Sequence, residues 1–208
     1  MSYIADILGK LEGTSEFQVL TDIEKAYEKI EAEQEIWFRK SAFLCPAGCG
    51  ECCTHFEPDL MLSESAYMGA WLLENQRDVA LAVADGVFPF PSDDHCQFYN
   101  PDSIYHCSIY KGRCFICRLF GASSSRSKMV KSVFKPCKFY PDELLVKHNP
   151  PLEHRQYSEE EIIKIFGIIP PEMQNLMDGT ASDTILIRDI LPRVIRHLLF
   201  IIEMNGAK

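Results

Sequence analysis

Apolar positions recur at helical spacing through both ends of the chain and give way in the middle to a loop-rich stretch dense in cysteine. Residues 3–12 fit one short amphipathic helix ended by Gly13. Thr14 or Ser15 can open the next helix, as can Thr21 with Glu24 three residues on as a capping box. From there to about Ser41, Ile23, Ala26, Tyr27, Ile30, Ile36, Trp37 and Phe38 mark a core-facing stripe, with charged residues on the other face. After the first cysteines, residues 57–62 read as extended, and Ser63 as the cap of a helix through Tyr67, Ala70 and Trp71 to about Leu73. Residues 77–84 form a further helix, stopped by Asp85-Gly86.

Between residues 87 and 110 the pattern dissolves into Pro-, Asp- and Asn-rich sequence. A loop of that length needs something to pin it, and ligation through Cys96 and Cys107 would do so. Phe98-Tyr99 and Cys107-Ser-Ile-Tyr110 leave room for a short β-hairpin, with Lys111-Gly112 as a turn. The polar stretch 122–134 reads as a mobile loop closed by Cys137. Ser158-Glu159-Glu160-Glu161 is a strong helix start, with acidic residues where the helix dipole favours them. Pro170-Pro171 opens a short helix to Met177. Ser182 or Asp183 begins a last helix that reaches about Asn205-Gly206 and bends at Pro192. Its apolar residues wrap most of its circumference, so it should be largely buried. The fold class this implies is mainly α: one helical domain over 1–208, with long irregular cysteine-rich loops organised around metal. Residues 45–137 are the metal-binding core, flanked by helices in 1–41 and 158–205.

Composition narrows the function. The 208 residues are 47% hydrophobic and 25% charged, ordinary for a soluble globular protein. A net charge of -9 argues against a nucleic-acid partner. No apolar run approaches the ~20 residues of a membrane span, and residues 1–13 have neither the basic nor the apolar segment of a signal peptide. The expected compartment is therefore the reducing cytoplasm, where nine cysteines serve as ligands or catalysts rather than bridges.

Those cysteines fall in two knots, Cys45-Pro-Ala-Gly-Cys49-Gly-Glu-Cys52-Cys53 and Cys107-Ser-Ile-Tyr-Lys-Gly-Arg-Cys114-Phe-Ile-Cys117, with Cys96 before the second and Cys137 after it. Thiolates take soft or borderline metals, and four of them satisfy Zn²⁺ or an iron–sulfur cluster. Adjacent Cys52 and Cys53 pose a geometric problem. Neighbouring side chains diverge on helix and strand alike, so both reach one centre only across a kinked backbone, or else serve two centres. From Ser103 to Pro141 there is no acidic residue, while Lys111, Arg113, Arg118, Arg126, Lys128, Lys131, Lys135 and Lys138 are basic. Such cations can offset thiolate charge, form a solvated face, or bind an anionic ligand. His55, His95 and His106 stand beside cysteines and could ligate, donate to a ligand, or simply be loop histidines. His148, His154 and His197 lie outside the cysteine region and carry no assigned role.

The pattern Cys45-x3-Cys49-x2-Cys52-Cys53, Cys96-x-Phe98, Cys107-Ser-Ile-Tyr110-x2-Arg113-x3-Cys117-Arg118-x-Phe120 and Cys137 resembles the cysteine-cluster family labelled a zinc- or iron-chelating domain. That resemblance implies Cys45, Cys49, Cys52, Cys53, Cys96, Cys107, Cys117 and Cys137 as metal ligands. Cys114 stands where the family has proline, and Gly121 where it usually has a second one, so Cys114 is set apart as a non-ligand. Flagellin lysine N-methylases carry a similar cysteine arrangement, associated with an iron–sulfur cluster and S-adenosylmethionine, in longer chains.

Three function classes follow. The first is a metal-binding protein holding zinc or an iron–sulfur cluster through thiolates, with room for a protein partner. The second is an iron–sulfur, S-adenosylmethionine-dependent enzyme of the protein-lysine methylase type. Cys45-x3-Cys49-x2-Cys52 also has the spacing of radical S-adenosylmethionine enzymes, but a long helix precedes it here and Glu51 takes the place of the usual aromatic. The third is a thiol redox switch, for which Cys114 beside Arg113 is the candidate. The chain has no Ser-His-Asp arrangement, phosphate loop or His-Glu-x-x-His motif.

Overall fold

The computed structural model describes residues 2–43, 49–127, 131–172 and 183–206. It is mainly helical and divides into two compact units that interleave along the chain. The first comprises Met1–Lys25, Gly50–Cys117 and Ala181–Lys208, the second Ala26–Cys49 and Arg118–Thr180.

In the first unit, α4 (Leu62–Asn75), α5 (Arg77–Ala84) and α9 (Ile187–Gly206) pack together, with α1 (Ala5–Lys10) against them. Leu72, Ala80, Val83, Leu191, Ile195 and Leu198 are fully buried among them. Each large aliphatic side chain so buried contributes about 1.5–3 kcal/mol. A short antiparallel pairing of β1 (Asp59–Leu60) with β5 (Ile185–Leu186) joins the segment after the first cysteines to the start of α9. Arg188 reinforces it, donating from Nε to Glu57 at 2.6 Å.

The start of α4 differs from the expectation. Met61, not Ser63, is the cap residue, and the Glu64 carboxylate takes its backbone N–H at 3.0 Å. The last helix begins at Ile187, because Ile185 and Leu186 are drawn into the strand. Its burial is also less complete than its apolar content suggests. The side chains from Ile187 to Leu198 that face α4 are covered, whereas Phe200 and Met204 are exposed.

In the second unit, Trp37 and Phe43 pack with Phe134, Tyr157, Ile162 and Phe166. The Trp37 ring meets Phe134 and Phe166 edge-on at 5.4 and 5.0 Å. Trp37 belongs to α2 (Ser15–Ser41), which begins at the earlier of the two starts the sequence offers, with Thr14 Oγ1 accepting from Phe17 N–H at 3.2 Å. Ile23, Tyr27, Ile30 and Trp37 are buried as their spacing requires, while Ile36 is exposed and Gln34 takes a buried place. Gln34 is satisfied there by donating to the Arg118 carbonyl at 2.6 Å.

The stretch that reads as a mobile loop instead contributes β2 (Ser125–Arg126) and β3 (Ser132–Phe134), which pair antiparallel. β3 also pairs with β4 (Tyr157–Ser158), giving the order β2-β3-β4. Ser158 then caps α8 (Glu159–Phe166) through the reciprocal Ser158/Glu161 capping box. Pro170-Pro171 leads into Glu172, which forms a parallel bridge with Ser124; the helix expected from there to Met177 falls at 173–182, outside the described residues. Within the second unit, α7 (Asp142–Lys147) adds buried Leu145 to the aromatic core.

Candidate metal centre

The first unit carries six cysteines: Cys52, Cys53, Cys96, Cys107, Cys114 and Cys117. Gly50 shapes the first knot. It takes a left-handed conformation (φ 59°) and its carbonyl receives Cys53 N–H at 2.8 Å, opening the single-turn helix α3 (Glu51–Thr54). On that turn the Cys52 and Cys53 sulfurs lie 3.9 Å apart. The two sulfurs thus approach each other with both residues inside the helical turn, without the kink between them that the sequence calls for.

The loop carrying Cys96 and Cys107 is pinned by the protein itself. Cys96 N–H donates to the Cys53 carbonyl at 3.3 Å, Tyr99 bridges antiparallel to Cys107, and Ser108 N–H donates to Phe98 O at 3.0 Å. Phe98 is fully buried. The expected hairpin is thus a single bridge, and residues Tyr110–Gly112 form a 3-10 turn.

That turn presses on α4. A Cβ at Gly112 would come within 2.6 Å of the Trp71 indole, so only glycine permits this approach. Just beyond, Phe115 N–H donates to the buried Glu64 carboxylate at 2.6 Å, opening α6 (Phe115–Leu119). Cys114 and Cys117 face each other across this turn with sulfurs 3.4 Å apart. Cys114 is 1% exposed, so the accessible redox thiol expected at this position is not what the fold provides.

Electrostatics tie the two knots together. Cys53 feels the charges of Cys96 and Cys107; Cys96 those of Cys107 and Cys114; Cys117 those of Cys114, Cys96 and Cys53. Burial pushes the Cys96 thiol up to about 12 and the Cys107 thiol up to about 11. Hydrogen bonding to its partner thiol raises Cys53, as it does Cys117. Cys52 moves the other way, to about 7, because it accepts from Cys53 and also sits in the field of Arg113. Arg113 lowers Cys107 too, and is held flat on the Tyr110 ring at 3.7 Å.

Other cations of the basic stretch are engaged elsewhere. Buried Arg118 pairs with Glu31 at 2.8 Å and covers the Tyr27 ring. Arg126 pairs with Glu172, Lys131 with Glu160, Lys138 lies over Phe139, and Lys111 over Tyr3. Of the alternatives for this stretch, charge compensation of thiolates is met by Arg113.

His106 adjoins Cys107 in an unusual backbone state (φ 50°), and its buried Nδ1 has no hydrogen-bond partner. His95 Nδ1 instead contacts the Cys96 carbonyl at 3.1 Å, and His55 is exposed at the end of α3. His148 contacts the Ser41 carbonyl, His154 the Tyr140 carbonyl and His197 the Glu16 carboxylate. Cys49 and Cys137 belong to the second unit, and Cys45 lies outside the described residues.

Among the described residues, no group of three or more His, Cys, Asp or Glu side chains is arranged to hold a metal ion. The thiols come instead as pairs. With metal–sulfur bonds of about 2.3 Å, tetrahedral coordination places sulfurs ~3.8 Å apart. The Cys52–Cys53 pair, at 3.9 Å, matches an edge of that polyhedron, and the Cys114–Cys117 pair, at 3.4 Å, is somewhat shorter than one. Donor chemistry and pair spacing fit a thiophilic metal.

A mainly helical frame carrying paired cysteines, with Cys96 and Cys114 buried and the other four half-buried, defines the class: a cysteine-cluster protein. Residues 44–143 match the model of the CxxCxxCC family, described as a putative zinc- or iron-chelating domain. No curated protein and no solved structure matches the chain.

Proposed function

We propose that the protein binds a thiophilic metal through the cysteines of its first unit, with Cys52, Cys53, Cys96, Cys107 and Cys117 as thiolate ligands. The observation that carries this reading is the pairing of Cys52 with Cys53 and of Cys114 with Cys117, sulfur to sulfur, at 3.9 and 3.4 Å. An all-sulfur donor set selects zinc or iron over magnesium or calcium. The pairs favour a centre in which two cysteines share one metal, as in a zinc thiolate site or a two-iron cluster. A four-iron cluster takes one cysteine per iron and spreads its ligands. When bound, the metal would act as a structural cross-link or as carried cargo. The protein's own part is to keep the thiols close, to screen them from water, and to offset their charge with Arg113.

Anaerobic purification, followed by elemental analysis for zinc, iron and sulfide and an absorption spectrum, tests this. Zinc or a two-iron cluster bound in stoichiometric amount supports the proposal. A metal-free chain that takes up neither zinc nor iron overturns it.

A further inference from the structure

We propose that Cys114, the cysteine set apart by sequence, is itself a metal ligand and shares one ion with Cys117. The inference rests on the metal-binding function proposed above and adds a residue that the family pattern does not supply.

Three observations converge. The Cys114 and Cys117 sulfurs are 3.4 Å apart, near the edge length of a tetrahedral thiolate site. Cys114 is 1% exposed and lies within electrostatic reach of Cys96, Cys107 and Cys117, so it sits among the thiols rather than beside them. The fold also fixes it on both sides. Gly112 is seated on the Trp71 indole before it, and the Phe115 N–H is held by buried Glu64 after it. A residue needed only to fill space would gain little from being held at two points on α4.

Cys-x-x-Cys across one helical turn brings two sulfurs to a common face, because residues three apart are neighbours on a helix. Here Cys114 acts electrostatically on Cys96 and Cys107, and Cys96 on Cys117. Cys114 and Cys117 then supply one edge of the coordination sphere, and the proline found in the family at this position is replaced by a donor.

The test compares the wild-type chain with Cys114→Ser and Cys117→Ser, each loaded with zinc. X-ray absorption at the metal edge counts sulfur ligands, and competition with a chromophoric chelator measures affinity. Replacing a residue that only orients a ligand costs about 10–100-fold in affinity. Loss of a direct ligand should cost more than that, and both variants should lose one sulfur from the first shell. If Cys114→Ser keeps the wild-type sulfur count and chelator resistance while Cys117→Ser loses both, Cys114 is not a ligand.

Should the serine variant fail to fold, the wild-type chain loaded with NMR-active cadmium decides the question. Scalar coupling between the metal and the Cys114 Hβ protons is expected, and coupling at Cys117 without coupling at Cys114 overturns the inference. A wild-type chain that binds no metal at all refutes the proposed function instead, a distinguishable result.

Discussion

Gly50→Ala is the perturbation that most sharply probes how the first cysteine knot is built. Gly50 occupies the left-handed region (φ 59°), where a residue with a Cβ pays about 1–2 kcal/mol. That Cβ would also stand 2.2 Å from His106 Nδ1 and 2.5 Å from His106 Cβ, a contact no side chain tolerates without movement. Overpacking of this kind costs about 1–3 kcal/mol. Together the two effects amount to roughly 2–5 kcal/mol, which for a chain of this size lowers Tm by roughly 4–20 °C.

Gly86→Ala is the control. Its φ is 83° and nothing lies within 4 Å of the added atom, so it should show the backbone cost alone. Differential scanning calorimetry of the metal-free chains gives both numbers. Adding His106→Gly to Gly50→Ala removes the ring and the Cβ it would meet; measured against His106→Gly alone, Gly50→Ala should then cost only the backbone part, in the manner of a double-mutant cycle. Equal losses in Gly50→Ala and Gly86→Ala, with no recovery from His106→Gly, would refute the packing of Gly50 on His106.

Two further outcomes follow from single interactions. Glu64→Gln keeps the shape of the side chain but weakens the acceptor shared by Phe115 N–H and Met61 N–H; about 1–3 kcal/mol should be lost, read as a fall in Tm, with an unchanged Tm contradicting the role assigned to Glu64. The Glu161 carboxyl is held at about 2 by the Arg155 guanidinium and by Ser158 N–H. A carboxyl depressed in the folded state stabilises above its unfolded value, near 4.3, and that contribution disappears as pH falls from there through about 2. Glu161→Gln should therefore flatten the decline of Tm between about pH 5 and pH 2, and an unaltered profile would count against the pairing.

Sequence signals are legible where the chemistry is local. Ser158 with Glu161 three residues on announces a capping box, and the helix starts there. Asp85-Gly86 ends α5 after Ala84, where the apolar period stops. They mislead where a distant partner decides. Ser132, Val133 and Phe134 are too few to read as a strand, and become one because Tyr157 and Ser158 pair with them from far along the chain. Ile185 and Leu186 continue the apolar pattern of α9, yet pair with Asp59 and Leu60. Ser63 has the right chemistry for a cap, but the charged Glu64 reaches back to Met61 and displaces the boundary.

The candidate thiols are legible by residue type and spacing, since thiol-rich knots with Gly and Pro between them have few other uses. Which thiols face each other is not. The x2 spacing of Cys114 and Cys117 carries the signal, but only the turn anchored by Glu64 converts that spacing into a 3.4 Å pair. The basic stretch misleads in a similar way, because the destination of a cation depends on the acid or ring that reaches it. Arg113 serves the thiols, whereas Arg118 is ion-paired with Glu31 on α2.

The central claim is that sulfur alone holds a metal in the first unit. Metal-edge X-ray absorption on the anaerobically purified chain tests it most directly. The account predicts a first shell of sulfur at about 2.3 Å, with two or more thiolates on each metal. A first shell dominated by oxygen or nitrogen, or no metal retained after loading with zinc and with iron, would contradict it.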